Sequence, residues 1–277
     1  MKKVTAILLV LVLSVPLWAQ GKVSTRKYRL ADFTDKMTKV VLSGNELLME
    51  ALRQEVLNNW TSTTFEFCTL DQFEKLKTQD SYYFLVPVES RFEGEEEPGI
   101  LLLTLVKGGP DAAKGIKEMF EVVSLPLGAV AGSDGRDLLY VGGIVQAIQE
   151  YVLAAMESEP AAYQMSDWFN NRFKKSVKGK EVYLAKENLS SAVSQKDLER
   201  PSLHVLPAAE ADAYYTNQTP GAVVGYVVAP FLPQKGSYCY KLLFEADTHR
   251  LCYIRKDKID PQKSEGFLPA ELKKLGK

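Results

Sequence analysis

The chain has 277 residues and is nearly balanced in charge, with 34 Lys and Arg against 35 Asp and Glu. This balance does not favour binding to nucleic acid or another polyanion, and the 46% hydrophobic and 25% charged content is typical of a globular protein. Two histidines are too few for a multi-histidine metal site, and no nucleotide-binding loop or serine-hydrolase elbow is present. We therefore expect no metal and no other cofactor.

The first 19 residues have the layout of a cleavable signal peptide. Lys2 and Lys3 precede an apolar run from Val4 to Val15, and Ala19 provides a small residue at the cleavage point. The run is shorter than the roughly 20 residues that a membrane-spanning helix needs, and no cysteine near the cleavage point could carry a lipid. We expect an exported, periplasmic or extracellular protein that does not span the membrane.

The remaining chain divides into a first α/β half (20–130), a helical middle (131–178) and a second α/β half with a C-terminal hairpin (179–277). Apolar periodicity and capping residues predict the elements of the first half. In chain order these are a strand at 40–42, a helix at 44–59, a strand at 65–68, a helix at 70–77, strands at 82–88 and 100–106, a helix from 110 to about 120, and a strand at 122–127.

The middle is predicted to be helical from 138 to 157 and again from 161 to 175, with Pro160 between the two helices. The segment from 138 to 156 is the most apolar one after the leader, but Gln146 and Glu150 interrupt it. We therefore interpret it as a buried helix rather than a membrane span.

The second half repeats the order of the first, because both follow the pattern β-α-β-α-β-β. The strand ending in Pro87 matches the one ending in Pro230, and proline cannot donate a hydrogen bond to a central strand. Both strands are therefore expected at a sheet edge or to end at the proline. The alternative is a chance similarity between two ordinary α/β segments.

Three cysteines, Cys68, Cys239 and Cys252, do not suggest a disulfide scaffold. A hairpin around Asp247 and Thr248 would place Cys239 opposite Lys256 and Cys252 opposite Leu243. In that register the two thiols are about 13 Å apart along the strands, so a disulfide between them would require a shifted register.

Two strand-to-helix junctions are the candidate ligand-binding positions. Ser43 and Asn45 follow the first strand, and Thr69 and Asp71 follow the second. In open α/β sheets ligands bind at such junctions, where free N–H groups and the helix dipole favour small anions. The alternative is that these polar residues only cap the helices that follow.

A group of cationic residues ends the helical middle: Arg172, Lys174, Lys175, Lys178 and Lys180. Cations at a helix C-terminus complement its dipole, so we interpret the group as a solvated helix end. The alternative is a surface for an anionic partner.

The segment 236–249, with the sequence GSYCYKLLFEADTH, resembles a stretch found in uncharacterised exported proteins of Bacteroidetes-type bacteria. The segment 80–85, DSYYFL, is similar to the same group. The resemblance implies a Gram-negative cell and no particular activity or site residue.

The fold class that follows is α/β, with mixed sheets, flanking helices and two related halves around a helical middle. We expect a non-catalytic protein that binds a small ligand or an envelope protein, with a cleft between the halves as one position for the site. Two alternatives stay open: a hydrolase whose site is assembled from distant residues, and a structural envelope protein.

Overall fold

The computed structural model of the protein describes residues 25–133, 135–260 and 265–275, so the predicted leader lies outside the described residues. It confirms the α/β class, with two mixed five-stranded sheets. Helices pack on both sheets, and the longest of them lies between the two.

In the first half, β1 is parallel to both of its neighbours and β4 and β5 are antiparallel, in the order β2-β1-β3-β4-β5. The strands are β1 (Met37–Val41), β2 (Phe65–Cys68), β3 (Tyr82–Ser90), β4 (Ile100–Lys107) and β5 (Phe120–Ala129). The helices are α1 (Arg26–Leu30), α2 (Glu46–Asn59) and α3 (Leu70–Leu76).

The middle consists of α4 (Asp137–Glu157), α5 (Glu159–Tyr163) and α6 (Met165–Ser176). The second sheet has the order β10-β9-β8-β6-β7. Its strands are β6 (Glu181–Ala185), β7 (Leu203–Leu206), β8 (Ala222–Val228), β9 (Tyr238–Glu245) and β10 (Leu251–Lys258). The accompanying helices are α7 (Gln195–Leu198), α8 (Ala208–Thr216) and α9 (Pro269–Leu275).

The two sheets repeat each other in strand order, in register and in one irregularity. Leu105 pairs with Val123 as Leu243 pairs with Tyr253, and the flanking pairs agree as well. One extra residue bulges from the last strand next to this pair, Val122 in the first half and Cys252 in the second. Bulges are conserved features within families, so the shared position is strong support for two related halves.

The two sheets present opposite faces to the core that they share. In the first sheet, Val40 and Leu105 point into the core around α4. Their equivalents, Leu184 and Leu243, belong to a separate cluster on the outer face of the second sheet. The halves are therefore stacked in the same orientation, and they do not face each other as two-fold mates would.

The central helix α4 fits closely between the halves because two adjacent glycines face different sides. A Cβ at Gly142 would clash with Glu55 of α2, and one at Gly143 would clash with Tyr215 of α8. By length and composition alone α4 is long and apolar enough to cross a membrane. The buried core helix of a folded protein passes the same test, and most of the side chains of α4 are buried against the two halves.

Pro87 lies inside β3, a central strand, so the expectation of an edge position or a strand end is wrong for this proline. The ladder between β1 and β3 stops at Leu85, so Pro87 lies past its end and leaves no bond to β1 unmade. In the second half, β8 ends at Val228, just before Pro230, as the pattern predicts.

Two predicted helices are shorter or different in kind. The segment after Pro110 forms 3₁₀ turns, because Gly115 adopts a φ of +120° that interrupts regular helix. Between β6 and β7, only a 3₁₀ turn at Lys186–Asn188 and the four-residue α7 are helical, where the first half has the 14-residue α2.

The hairpin around Asp247 is present, but its predicted register is off by one residue. The bulge at Cys252 shifts the pairing, so that Cys239 lies opposite Asp257 and Leu243 opposite Tyr253. All three cysteines are buried and free, which agrees with the expectation that they form no disulfide.

Candidate functional site

The clearest difference between the two halves lies on equivalent faces of their last two strands. In the first half, Leu103, Val123 and Leu125 are buried in the shared core. The repeat places Lys241, Tyr253 and Arg255 at the corresponding positions of β9 and β10. An apolar patch of one half is therefore a charged patch in the other. Departures of this kind from a packing pattern concentrate at functional sites.

Lys241 is the buried centre of a group of polar and charged side chains, called the Lys241 cluster below, which also contains Tyr253, the partly exposed Arg255, Asp257 and Glu271. The Lys241 side chain is 1% exposed, and its Nζ lies 2.7 Å from Asp257 Oδ2 and 2.6 Å from Glu271 Oε2. Glu271, from α9, also accepts hydrogen bonds from the Tyr253 hydroxyl and from the backbone N–H of Leu268, both at 2.9 Å. Arg255 Nε lies 2.8 Å from Asp257 Oδ2. Two cations thus neutralise two carboxylates.

These contacts fix the charge states of the cluster. Burial raises the pKa of Asp257, but hydrogen bonds from Lys241 and Arg255 outweigh it and hold the pKa below its usual value. Burial opposes the charge on Arg255, but Asp257 and Glu271 keep the pKa of that guanidinium above its usual value. Burial, followed by the charge of Glu271, raises the pKa of Tyr253, so its hydroxyl stays protonated.

A groove of about 760 Å³ opens in front of the Lys241 cluster, between α6, β10 and α9. Two of its lining residues, Tyr253 and Arg255, come from the cluster itself. Along one side Asn170 fastens α6 to the edge strand β10, because its side chain bonds both the N–H and the C=O of Ile254. We call this space the lysine groove; its lining is Asn170, Asn171, Phe173, Lys174, Val177, Lys178, Tyr253, Arg255 and Lys274.

The lysine groove carries an excess of positive charge. Lys174, Lys178 and Lys274 are exposed, and none of the described carboxylates lies within 4.0 Å of their ammonium groups. The Lys241 cluster behind them is neutral overall, so the described residues provide no local counter-charge for these three cations. Beneath them, the rings of Phe173 and Tyr253 pack against each other with centroids 5.2 Å apart. The groove therefore combines a cationic rim with an aromatic floor.

Two carboxylates of the Lys241 cluster are close together, which invites comparison with a glycoside hydrolase. Asp257 and Glu271 both accept a hydrogen bond from the same ammonium. Retaining glycosidases separate their carboxyl groups by about 5–5.5 Å, but one of the two must be protonated to act as the acid. Here Lys241 lies between them, and the lowered pKa of Asp257 keeps that carboxyl ionised. The arrangement therefore holds charge in place, with both carboxylates bonded to one ammonium.

The sequence-predicted site residues lie in the first half, where two of them cap helices. Asn45 is the N-cap of α2, with Oδ1 accepting from the N–H of Leu48 at 2.8 Å, so the cap is not formed by Ser43. Thr69 forms the expected capping box with Gln72. Ser43 is half-buried and Asp71 is exposed in the first turn of α3.

A hollow of about 430 Å³ lies at these junctions, and of the four predicted residues only Thr69 lines it. Its charged lining residues are Glu46, Glu50 and Arg53, and the arginine is 3.9 Å from Glu50. Two carboxylates against one cation do not favour an anion. Ligand binding at Ser43, Asn45, Thr69 and Asp71 stays a prediction. Helix capping already explains why two of these residues, Asn45 and Thr69, are polar.

α4 fills most of the junction between the halves, and a hollow of about 170 Å³ remains beside its N-terminal end, lined by residues of both halves such as Ala129 and Tyr226. At the N-terminal end of α4, Arg136 makes a bidentate pair with Asp212 of α8, with one bond of 2.8 Å. Tyr140 donates to the same carboxylate at 2.5 Å, and Asn188 accepts from Arg136 at 3.0 Å. This buried network joins α4 to the second half and has its polar groups satisfied internally.

The residues of the lysine groove were missed as a site because three separate segments supply them. The sequence does show the cationic group at the end of α6, but the members of this group differ in their contacts. Arg172 pairs with Glu150 at 2.9 Å and Lys180 with Glu245 at 3.4 Å, whereas Lys174 and Lys178 line the groove. A usable signal is the i,i+4 spacing of Phe173 with Val177 and of Lys174 with Lys178, which puts each pair on one helix face.

Comparison of the chain with protein-family models, curated proteins and solved structures found no match in any of the three.

Proposed function

We propose that this is an exported, non-catalytic binding protein whose lysine groove holds a small anionic ligand. The observation that carries the proposal is the replacement of the core residues Leu103 and Leu125 by Lys241 and Arg255 at the equivalent face of the second half. Burying charge costs free energy that an apolar patch would not cost, so the replacement favours a function over a purely structural role.

Size and charge support the same proposal. A volume of about 760 Å³ falls within the 300–1,000 Å³ typical of small-molecule sites. The three uncompensated lysines attract an anion, and the ionised carboxylates behind them are already paired with cations. The leader and the resemblance to exported Bacteroidetes-type proteins support a location outside the cytoplasm.

The test is ligand binding by the mature protein and by a Lys174→Ala/Lys178→Ala variant. The probe is methyl phosphate, with binding followed by isothermal titration calorimetry at constant ionic strength. Each cation near a bound anion contributes about 1 kcal/mol in a water-like medium, so removing two should weaken binding about 10-fold after screening by salt. The matched control is Lys175→Ala, because Lys175 is exposed on the same helix but does not line the groove.

Equal binding by the double variant and the control would place the anion elsewhere and contradict the proposal. Failure of any small anion to bind the unmodified protein would contradict it as well. The hydrolase alternative predicts turnover of a bound substrate that depends on Asp257 or Glu271, and the structural alternative predicts no saturable binding.

A further inference from the structure

We infer that the ligand of the lysine groove is an organic anion with a ring or other flat apolar body, bound with its acidic group at the rim. This inference rests on the proposed function and specifies the ligand class. Inorganic anions such as phosphate or sulfate have the negative charge but lack a flat apolar group.

The distribution of polar and apolar groups in the groove carries the inference. The cations of Lys174, Lys178 and Lys274 end exposed side chains at the rim. The interior surface is made of Phe173, Val177 and the Tyr253 ring.

Two polar side chains next to the aromatic surface, Tyr253 and Asn170, already have protein partners, which leaves the ring faces for an apolar body. The Tyr253 hydroxyl donates to Glu271, and Asn170 bonds Ile254 of β10. A ligand that reaches the floor therefore finds two rings and a valine side chain, with Asn171 and Arg255 as further polar lining residues. Apolar surface that a ring covers there leaves water, which adds affinity in proportion to the area.

The volume of the groove agrees with such a body. At about 760 Å³ it has room for some 25 water molecules of about 30 Å³ each. A tetrahedral inorganic anion that contacts the lysines would leave the floor wet, so it would not use the part of the groove that Phe173 and Tyr253 form.

The experiment compares phenyl phosphate with methyl phosphate, which carry the same acidic group and differ in the ring. One methylene in an apolar pocket changes affinity about 10-fold or more, so the phenyl compound should bind at least about 10-fold more tightly. Calorimetry should also give a more negative heat capacity change for the phenyl compound, the mark of apolar burial.

Two variants assign the preference to the floor. Phe173→Leu should reduce the ratio of the two affinities, because the aromatic surface that the phenyl group covers is lost. Val177→Thr, a milder change at the half-buried end of α6, serves if Phe173→Leu unfolds the protein. In contrast, Lys174→Ala/Lys178→Ala should weaken both compounds about equally.

Equal affinity for the two compounds in the unmodified protein would overturn the inference and leave the proposed anion site standing. A preference for the phenyl compound that both floor variants retain would overturn it as well, because the ring would then bind elsewhere. Binding of neither compound would refute the proposed function itself.

Discussion

Replacing Lys241 by leucine isolates the energetics of the Lys241 cluster. The substitution gives β9 the residue type that the first half has at the equivalent Leu103, so backbone and side-chain volume are tolerable. What changes is charge: Asp257 and Glu271 lose the ammonium that lies 2.7 and 2.6 Å from them. Removing one partner of a buried ion pair costs about 3–5 kcal/mol, and we expect Lys241→Leu to lower the free energy of unfolding by that amount.

Adding Glu271→Gln to the Lys241→Leu variant should restore part of the lost free energy of unfolding. In the double variant only Asp257 stays ionised, and Arg255 remains 2.8 Å from it. Glutamine also keeps an acceptor for the N–H of Leu268, so α9 is still capped. We expect the double variant to be at least about 1 kcal/mol more stable than the single one, a coupling typical of residues in direct contact.

The assay is urea unfolding followed by the fluorescence of Trp60 and Trp168, at pH 7 and pH 5. The deficit of Lys241→Leu should shrink at the lower pH, because protonating one of two adjacent buried carboxyls relieves their repulsion. Lys258→Leu, an exposed change on the same strand pair, is the control and should stay within about 0.5 kcal/mol. A loss of under about 1 kcal/mol for Lys241→Leu, or no recovery in the double variant, would refute the reasoning.

Two further predictions concern groups outside the groove. Asp32 is held by Lys107 and Lys36 at 2.7 and 2.8 Å, and these contacts, with a bond from Tyr83, outweigh burial and lower its pKa to about 2. The stability that ionised Asp32 contributes is therefore present above pH 4 and lost as the pH falls toward 2. Because the side chain is 38% exposed, Asp32→Asn should lower the free energy of unfolding by only about 1 kcal/mol at pH 7. In urea unfolding the difference between variant and unmodified protein should be smaller at pH 3, and an unchanged difference would contradict this. The three thiols are buried, and burial raises the pKa of Cys252 to about 12 and the pKa values of Cys68 and Cys239 above the usual value. A disulfide reagent at pH 8 should therefore modify none of them in the native protein and all three in urea. A single reactive thiol after unfolding would instead reveal a disulfide.

The elements that the sequence predicts well are those set by local pattern. The apolar runs of β4 and β9 and the period of α4 need no tertiary information, and the order of the two halves could be matched from them. The 3₁₀ turns after Pro110 were mistaken for a helix because one glycine conformation, at Gly115, decides the outcome. The bulge at Cys252 is likewise invisible in a hairpin pattern, and it moves the register by one residue.

The candidate site depended on information that is not local. Lys241 is a charged residue inside a mostly apolar strand that ends at Glu245, and a solvent-facing side chain explains such a pattern equally well. Only the fold brings Glu271 from α9 to within 2.6 Å of it and places Lys274 across from Lys174 and Lys178. The strand-to-helix junctions were chosen on a general rule for α/β sheets, which does not include the charge of the surrounding side chains.

The stacking of the two halves in the same orientation has a consequence for the assembly of several molecules. Two units related in this manner form a heterologous contact, and such contacts continue indefinitely unless something ends the series. Here α9 and Phe267 cover the outer face of the second sheet, the face equivalent to the one on which α4 packs in the first. The C-terminal segment is thus comparable to the terminal cap of a repeat protein. A truncation before Phe267 would expose the apolar face around Leu184 and Leu243, and a heterologous contact made through that face would give rings or filaments.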